Sequence, residues 1–231
     1  MSRTDEFLDL YKQLEQEAIE TYGFPSDGRA VSELERLRQY DDVKREIKYC
    51  REVRNLLSHN EKIDSQYSVE PSQAMIELLR DTIVRVQNPS RCYEFATKPP
   101  NIMTAHIGDL ALPLMRKMKE RGFSHVPVVE GGVLRSVFSA STPFSYMLTH
   151  GFIEISEETT LRYFKDFLPP KMHATESFHF LGRHTLISDA ETLFMDSLKQ
   201  SRRIGMIFIT EHGRPHEKLL GVITPHDIVG R

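Results

Sequence analysis

The sequence predicts an α+β protein in two halves: a four-helix bundle over residues 1–90, then a strand–helix–strand–strand–helix unit that occurs twice. Three observations predict it. Apolar residues recur at helical spacing through the first 90 residues. From about residue 95, short β-like runs alternate with helical segments. The order of that alternation then repeats after roughly 50–60 residues, the mark of an internal duplication.

The elements follow in order. Phe7, Leu10, Leu14 and Ala18, widened by Tyr11 and Ile19, form the buried stripe of a first helix, which ends at the break Gly23–Gly28. Val31, Leu34 and Leu37 mark a short second helix. Asp41 or Asp42 is placed to start a third, with Val43, Ile47, Cys50, Val53 and Leu57 facing the core. "NEKIDSQYSVEPS" reads as a loop. Pro71 opens a fourth helix carrying Met75, Leu78, Leu79, Ile83 and Val86, and Asn88-Pro89 stops it. Short links between helices favour an antiparallel bundle.

The first repeat, residues 95–150, reads as "IMTAH", a helix from about Asp109 to Arg121, "HVPVV", "VLRSVF" and a helical "TPFSYMLTH". Residues 151–176, with Pro169-Pro170, form a linker. The second repeat, residues 177–231, reads as "SFHF", a helix from about Ser188 to Gln200, "GMIFI", "LLGVIT" and a short helix at "PHDIVG".

Composition narrows the class. The 231 residues are 39% hydrophobic and 27% charged, which favours neither disorder nor a membrane protein. No run approaches the roughly 20 apolar residues that span a bilayer. With a net charge of −3, any nucleic-acid contact must use a local patch. Cys50 and Cys92 match no metal spacing, so no metal is expected. The charged, helical start MSRTDEFLDLYKQ suggests no secretory leader, and a cytoplasmic location is the expectation. His173, His179 and His184, in the linker and first strand of the second repeat, lack ligand companions and read as surface residues, as do His212 and His216 in a hairpin turn.

The most informative stretch is "GVITPHDI", residues 221–228. Gly221 allows close backbone approach at a strand. Val222 and Ile223 continue the strand, Thr224 ends it, and Pro225 suits a first helical turn. Backbone amides at a helix start attract anions. Asp227 lies one turn along, where a carboxylate can accept two hydrogen bonds from a ribose diol. By itself such a Thr-x-x-Asp is most often a helix cap facing water. In the first copy the equivalent stretch is "SVFSAST", with Ser139 for Thr224 and Thr142 for Asp227. A hydroxyl accepts more weakly than a carboxylate, so of the two copies only the one around Asp227 offers a good acceptor for a diol.

This repeat resembles the CBS domain, usually found in tandem pairs (Bateman modules). The resemblance covers about residues 95–231. "GVITPHDI" matches the family's nucleotide motif, and "SHVPVVE", residues 124–130, its second strand. It implies that the Asp of one repeat meets the first and second strands of the other. Asn101, Met103, Ser124 and His125 would then line the base. Arg202 and Arg203 are candidates for the phosphates because a guanidinium fork fits them, the alternative being a solvated helix end. The ligand class implied is AMP, ATP or a related adenosyl compound, acting as a regulator.

"VRNLLSHN", residues 53–60, carries Arg54, Asn55 and His59 beside an apolar pair. It resembles the R-x-x-x-x-H signature of HEPN domains, helical bundles that include many metal-independent ribonucleases. That resemblance rests on the motif and the predicted bundle, over roughly residues 1–90. It implies His59 as general acid/base, Arg54 stabilising the phosphate, Asn55 orienting, and a composite site across a homodimer. Residues 36–54 hold seven cations against four carboxylates, a local patch suited to RNA. The alternatives are a solvated helix face, with His59 simply ending the helix, or a non-catalytic module that relays nucleotide binding to a protein or RNA partner.

Overall fold

The structure of the protein is a computed structural model that describes residues 2–59, 67 and 69–229. The chain divides into two compact units, Met1–Pro89 and Ser90–Arg231.

The first unit is helical. Helix α1 (Arg3–Tyr22) starts at Ser2, whose Oγ accepts from the Asp5 amide while Asp5 reaches back to the Ser2 amide. It stops at Gly23, where a φ of +68° suits glycine. Helix α2 (Ala30–Leu34) is short and buries Ala30, Val31 and Leu34. Helix α3 (Lys44–His59) begins later than Asp41 or Asp42 would start it. The reason is Tyr40, 1% exposed, which a 3-10 turn at Arg38–Tyr40 drives into the core, its hydroxyl 3.0 Å from that of Tyr22. Asp42 pairs instead with Arg85 at 3.0 Å. Helix α4 (Gln73–Gln87) follows Pro71, capped by Ser72, which accepts from the Met75 amide. Phe7, Leu14, Leu34, Ile47, Ile76 and Leu79 are fully buried at the centre. Most of the expected loop "NEKIDSQYSVEPS" lies outside the described residues.

The second unit opens on the short helix α5 (Cys92–Phe95) and carries the two repeats. In the first, helix α6 (Ala111–Arg121) precedes strands β1 (His125–Glu130) and β2 (Val133–Ser139), an antiparallel pair, and helix α7 (Thr142–His150). In the second, β3 (Glu176–Gly182) lies parallel to β4 (Arg203–Thr210), which pairs antiparallel with β5 (Gly221–Ile223). Helix α8 (Ile187–Ser197) follows β3, and α9 (Pro225–Val229) follows β5.

Three features of the second unit's fold differ from what its sequence predicts. The strand expected at "IMTAH" shrinks to one parallel bridge, Ala105 with Val128, because residues 101–103 run along a cavity wall instead of in the ladder. Helix α5 and the strand-like Thr97, which bridges Val222, belong spatially to the second repeat; Cys92 packs with Ile187, Ala190 and Ile223. The linker is not passive either. Its Leu161, Phe164 and Leu168 are buried in the core of the first repeat, and the Leu168 carbonyl accepts from the Val137 amide. Both cysteine thiols are buried, and desolvation pushes each up to about 12, which keeps them unreactive. Among the described residues no helix is long and apolar enough to cross a membrane.

Candidate functional site

The two repeats build the same local turn. Strand register matches Ile223 against Ile207 in the second copy and Phe138 against Val126 in the first. One residue beyond, the Thr224 amide and hydroxyl both donate to Asp227 Oδ2 at 2.7 Å. In the first copy the Ser139 amide donates to Thr142 Oγ1 at 3.0 Å, with the two hydroxyls 3.3 Å apart. Asp227 therefore does cap its helix, as a Thr-x-x-Asp at a helix start commonly does. Both bonds fall on Oδ2, however, and among the described residues no donor reaches Oδ1.

What differs is the space in front of each turn. Before Thr224 and Asp227 lies a cavity of about 810 Å³, also lined by Asn101, Met103, Ser124 and His125. A volume of that order suits a nucleotide-sized ligand. Before Ser139 and Thr142 the protein fills the space itself. Both are buried, at 0% and 2% exposure, and His173 Nδ1 stands 3.3 Å from Ser139 Oγ. His173 is thus not a surface residue. It is 4% exposed, its Nε2 faces the Leu168 carbonyl at 3.3 Å, and its ring packs edge-on to Phe178. The linker that folds back onto the first repeat carries it there.

Arg202 and Arg203 do not line the cavity. The Arg202 guanidinium donates to the carbonyl oxygens of His173 and Glu176, at 2.6 Å and 2.8 Å, and so ties the linker to β4. Arg203 opens β4 opposite Glu176 with its side chain exposed. The cation in the cavity wall is Arg121, the last residue of α6, beside the exposed ring of Phe123. Ile102, Met103 and Met206 supply the apolar lining, and His226 stands next to the Thr224 turn. Neither Arg121 nor Phe123 belongs to a motif. Only the match of "SHVPVVE" to a strand end could have drawn attention to the residues just before it.

One wall of the cavity is electrically loaded. His125 has 9% of its side chain exposed; its Nδ1 is 2.8 Å from Ser124 Oγ and its Nε2 2.9 Å from Glu176 Oε1. The second contact lies off the hydrogen-bond line, so it is an electrostatic pair and not a directed bond. His173 Nδ1 faces the other carboxylate oxygen at 3.7 Å. His125 first, then His173, hold the Glu176 carboxyl down to about 2 against the opposing effect of burial. Gly205, in the same wall, has to be small: a Cβ there would stand 2.9 Å from His125 Nε2.

In the helical unit, Arg54 and Asn55 are half-buried on α3. The Arg54 guanidinium lies 5.5 Å from the centre of the Tyr11 ring and donates to Asn55 Oδ1 at 3.2 Å. Burial, with the Glu15 carboxylate second, raises the Tyr11 phenol well above its ordinary value. His59 is the last residue of α3, and its side chain lies outside the described residues. The basic patch is partly neutralised: Arg36 pairs with Glu33, Arg51 with the nearly buried Glu35, and Lys48 with Glu52. Among the described residues no group of three or more His, Cys, Asp or Glu is placed to hold a metal ion.

A scan against protein-family models finds no match, and a search of curated proteins finds none. Solved structures are similar to part of the chain. A CBS domain pair in complex with 5′-methylthioadenosine and S-adenosyl-L-methionine shares 14% identity over 61% of this chain and 93% of its own, with a TM-score of 0.40. CbpB in complex with c-di-AMP shares 13% identity over 61% and 83%, with a TM-score of 0.45. A hemolysin-like protein of Oenococcus oeni containing a CBS domain shares 10% identity over 62% and 90%, with a TM-score of 0.41.

Proposed function

We propose that this chain is a regulatory nucleotide sensor whose second unit binds one adenine nucleotide in the Asp227 cavity. The observation that carries the reading is the meeting of Thr224 and Asp227 with Asn101, Met103, Ser124 and His125 around one cavity. Asp227 Oδ1 is the acceptor for the ribose diol, the apolar residues and Phe123 take the base, and Arg121 takes phosphate. Titration calorimetry with AMP and ATP tests it. One ligand per chain is expected, and Asp227→Ala should weaken binding by about tenfold or more, since a hydrogen bond to a charged acceptor contributes roughly 1.5–3 kcal/mol. Thr142→Asp should add no second ligand, because Thr142 is buried behind His173. Two ligands per chain, or full affinity in Asp227→Ala, would place the nucleotide elsewhere.

For the helical unit the reading is a metal-independent ribonuclease that acts as a homodimer, with the nucleotide setting its geometry. Its support is the Arg54-Asn55…His59 motif, together with an Arg54 guanidinium that no carboxylate among the described residues neutralises. Arg54→Ala and His59→Ala should each abolish RNA cleavage in chelator, with the product a cyclic phosphate or its hydrolysis product. A monomer by light scattering at micromolar concentration, or cleavage that survives in His59→Ala, would sink the composite site. If no RNA is cut with or without nucleotide, the chain is a non-catalytic module that relays ligand binding to a partner.

A further inference from the structure

His125 lines the cavity, backed by Glu176 and His173, and has no part in the ribose contact. The partners of the two imidazoles assign the protons. The Leu168 carbonyl can only accept, so His173 Nε2 carries a hydrogen. A carboxylate oxygen 2.9 Å from His125 Nε2 would repel a bare ring lone pair, so the electrostatic pairing places a hydrogen on that nitrogen as well. The remaining His125 nitrogen, Nδ1, faces Ser124 Oγ, and a hydroxyl can donate or accept. In the neutral ring, Ser124 donates to Nδ1. In the imidazolium, Nδ1 donates to Ser124, whose own hydrogen then turns outward. Ser124 is exposed and lies in the cavity wall.

We infer that Ser124, His125 and Glu176 form a relay that selects a phosphate-bearing nucleoside over a neutral one by taking up one proton when the ligand binds. The inference rests on the nucleotide reading given above. A phosphate oxygen accepts the Ser124 hydroxyl hydrogen. Ser124 Oγ in turn accepts from Nδ1, and the proton that Nδ1 needs comes from solvent. No covalent bond to carbon or phosphorus forms or breaks. The carboxylate of Glu176 faces the imidazolium and offsets its charge at a site where an unpaired charge would be costly. His173 and the Arg202 contacts to the carbonyls of His173 and Glu176 hold that carboxylate in place, so they are positioning residues. The other charged or titratable side chains of the cavity wall are Arg121, His226 and Asp227. Of these, Arg121 adds a fixed cation and cannot supply a proton linkage near neutrality.

The test is titration calorimetry of the full chain with AMP and with adenosine. It is run between pH 6 and 8 in buffers of different ionisation enthalpy, for wild type, Ser124→Ala, His125→Gln and Glu176→Gln. The phosphate of AMP itself titrates near pH 6, so proton uptake is read as wild type minus variant. Wild type should take up more protons with AMP than each variant does, and none with adenosine. His125→Gln should lose about tenfold more affinity for AMP than for adenosine, so that the ratio of the two affinities reads the relay apart from any general loss of base contact. Glu176→Gln should lose the pH slope, and if it does not fold, Ser124→Ala and His125→Gln still decide the outcome. Equal proton uptake in wild type and His125→Gln overturns the relay but leaves the nucleotide site standing. Failure of both AMP and adenosine to bind wild type overturns the nucleotide reading, and the relay falls with it.

Discussion

Acid should unfold the second unit earlier than a simple carboxylate count predicts, and Glu176 should be the main cause. Its carboxyl titrates at about 2 in the folded chain against an ordinary glutamate value of 4.5. A carboxyl with a depressed folded value contributes stability that is fully present above the unfolded value and is lost as pH falls through the folded one. The window therefore runs from about 4.5 down to about 2. With 23% of its side chain exposed, some of the effect is screened, which leaves on the order of 2–3 kcal/mol. Glu217, held to about 2 chiefly by the His212 amide, works in the same window. The comparison is therefore between wild type and Glu176→Gln, which share Glu217. Urea titrations at pH 7, 4.5 and 3, followed through the amides of β3 and β4, should show wild type losing its advantage over the variant as pH drops. Parallel curves for the two proteins would remove Glu176 from this role.

Gly221→Ala is expected to cost about 1–3 kcal/mol, the usual range for forcing an atom into a filled space. A Cβ at Gly221 would stand 2.7 Å from the Cβ of Ala96 and 3.3 Å from the Thr97 carbonyl oxygen. Neither neighbour can yield easily. Thr97 and Val222 exchange two backbone hydrogen bonds at 2.9 Å, so the segment is fixed to β5. Thr97 also lines the cavity, and moving it should weaken AMP binding several-fold on top of the stability loss. Gly205→Ala makes the contrast. There the added carbon meets the rings of His125, 2.9 Å from Nε2, and Phe178, at 3.3 Å, side chains rather than paired backbone. Its cost in stability should be smaller, and its effect should fall on proton uptake. A melting temperature for Gly221→Ala within about 1 °C of wild type would show that the Ala96 segment is free to move, against its pairing.

The parts of this protein that sequence determines by itself are those fixed within a few residues. Ser2 with Asp5, Ser72 with the Met75 amide, and Thr224 with Asp227 are contacts between residues three apart, set by the geometry of a helix start. The same holds for the alternation of the repeats and for the substitution of Thr142 for Asp227, both visible without coordinates. At "IMTAH" and at the start of α3, local propensity points the wrong way, because it gives way there to a cavity wall and to the burial of Tyr40. Tertiary structure alone decided which cation reaches the cavity. Arg202 and Arg121 both precede a strand, but the linker carbonyls capture Arg202 and leave Arg121 in the wall. It also decided that His173 is buried and that the first-copy site is closed, since the linker's return onto Val137 carries His173 over Ser139. The pairing of His125 with Glu176 has no sequence signature, because the two are far apart in the chain and meet only when β3 pairs beside β4 and the second repeat closes on the first.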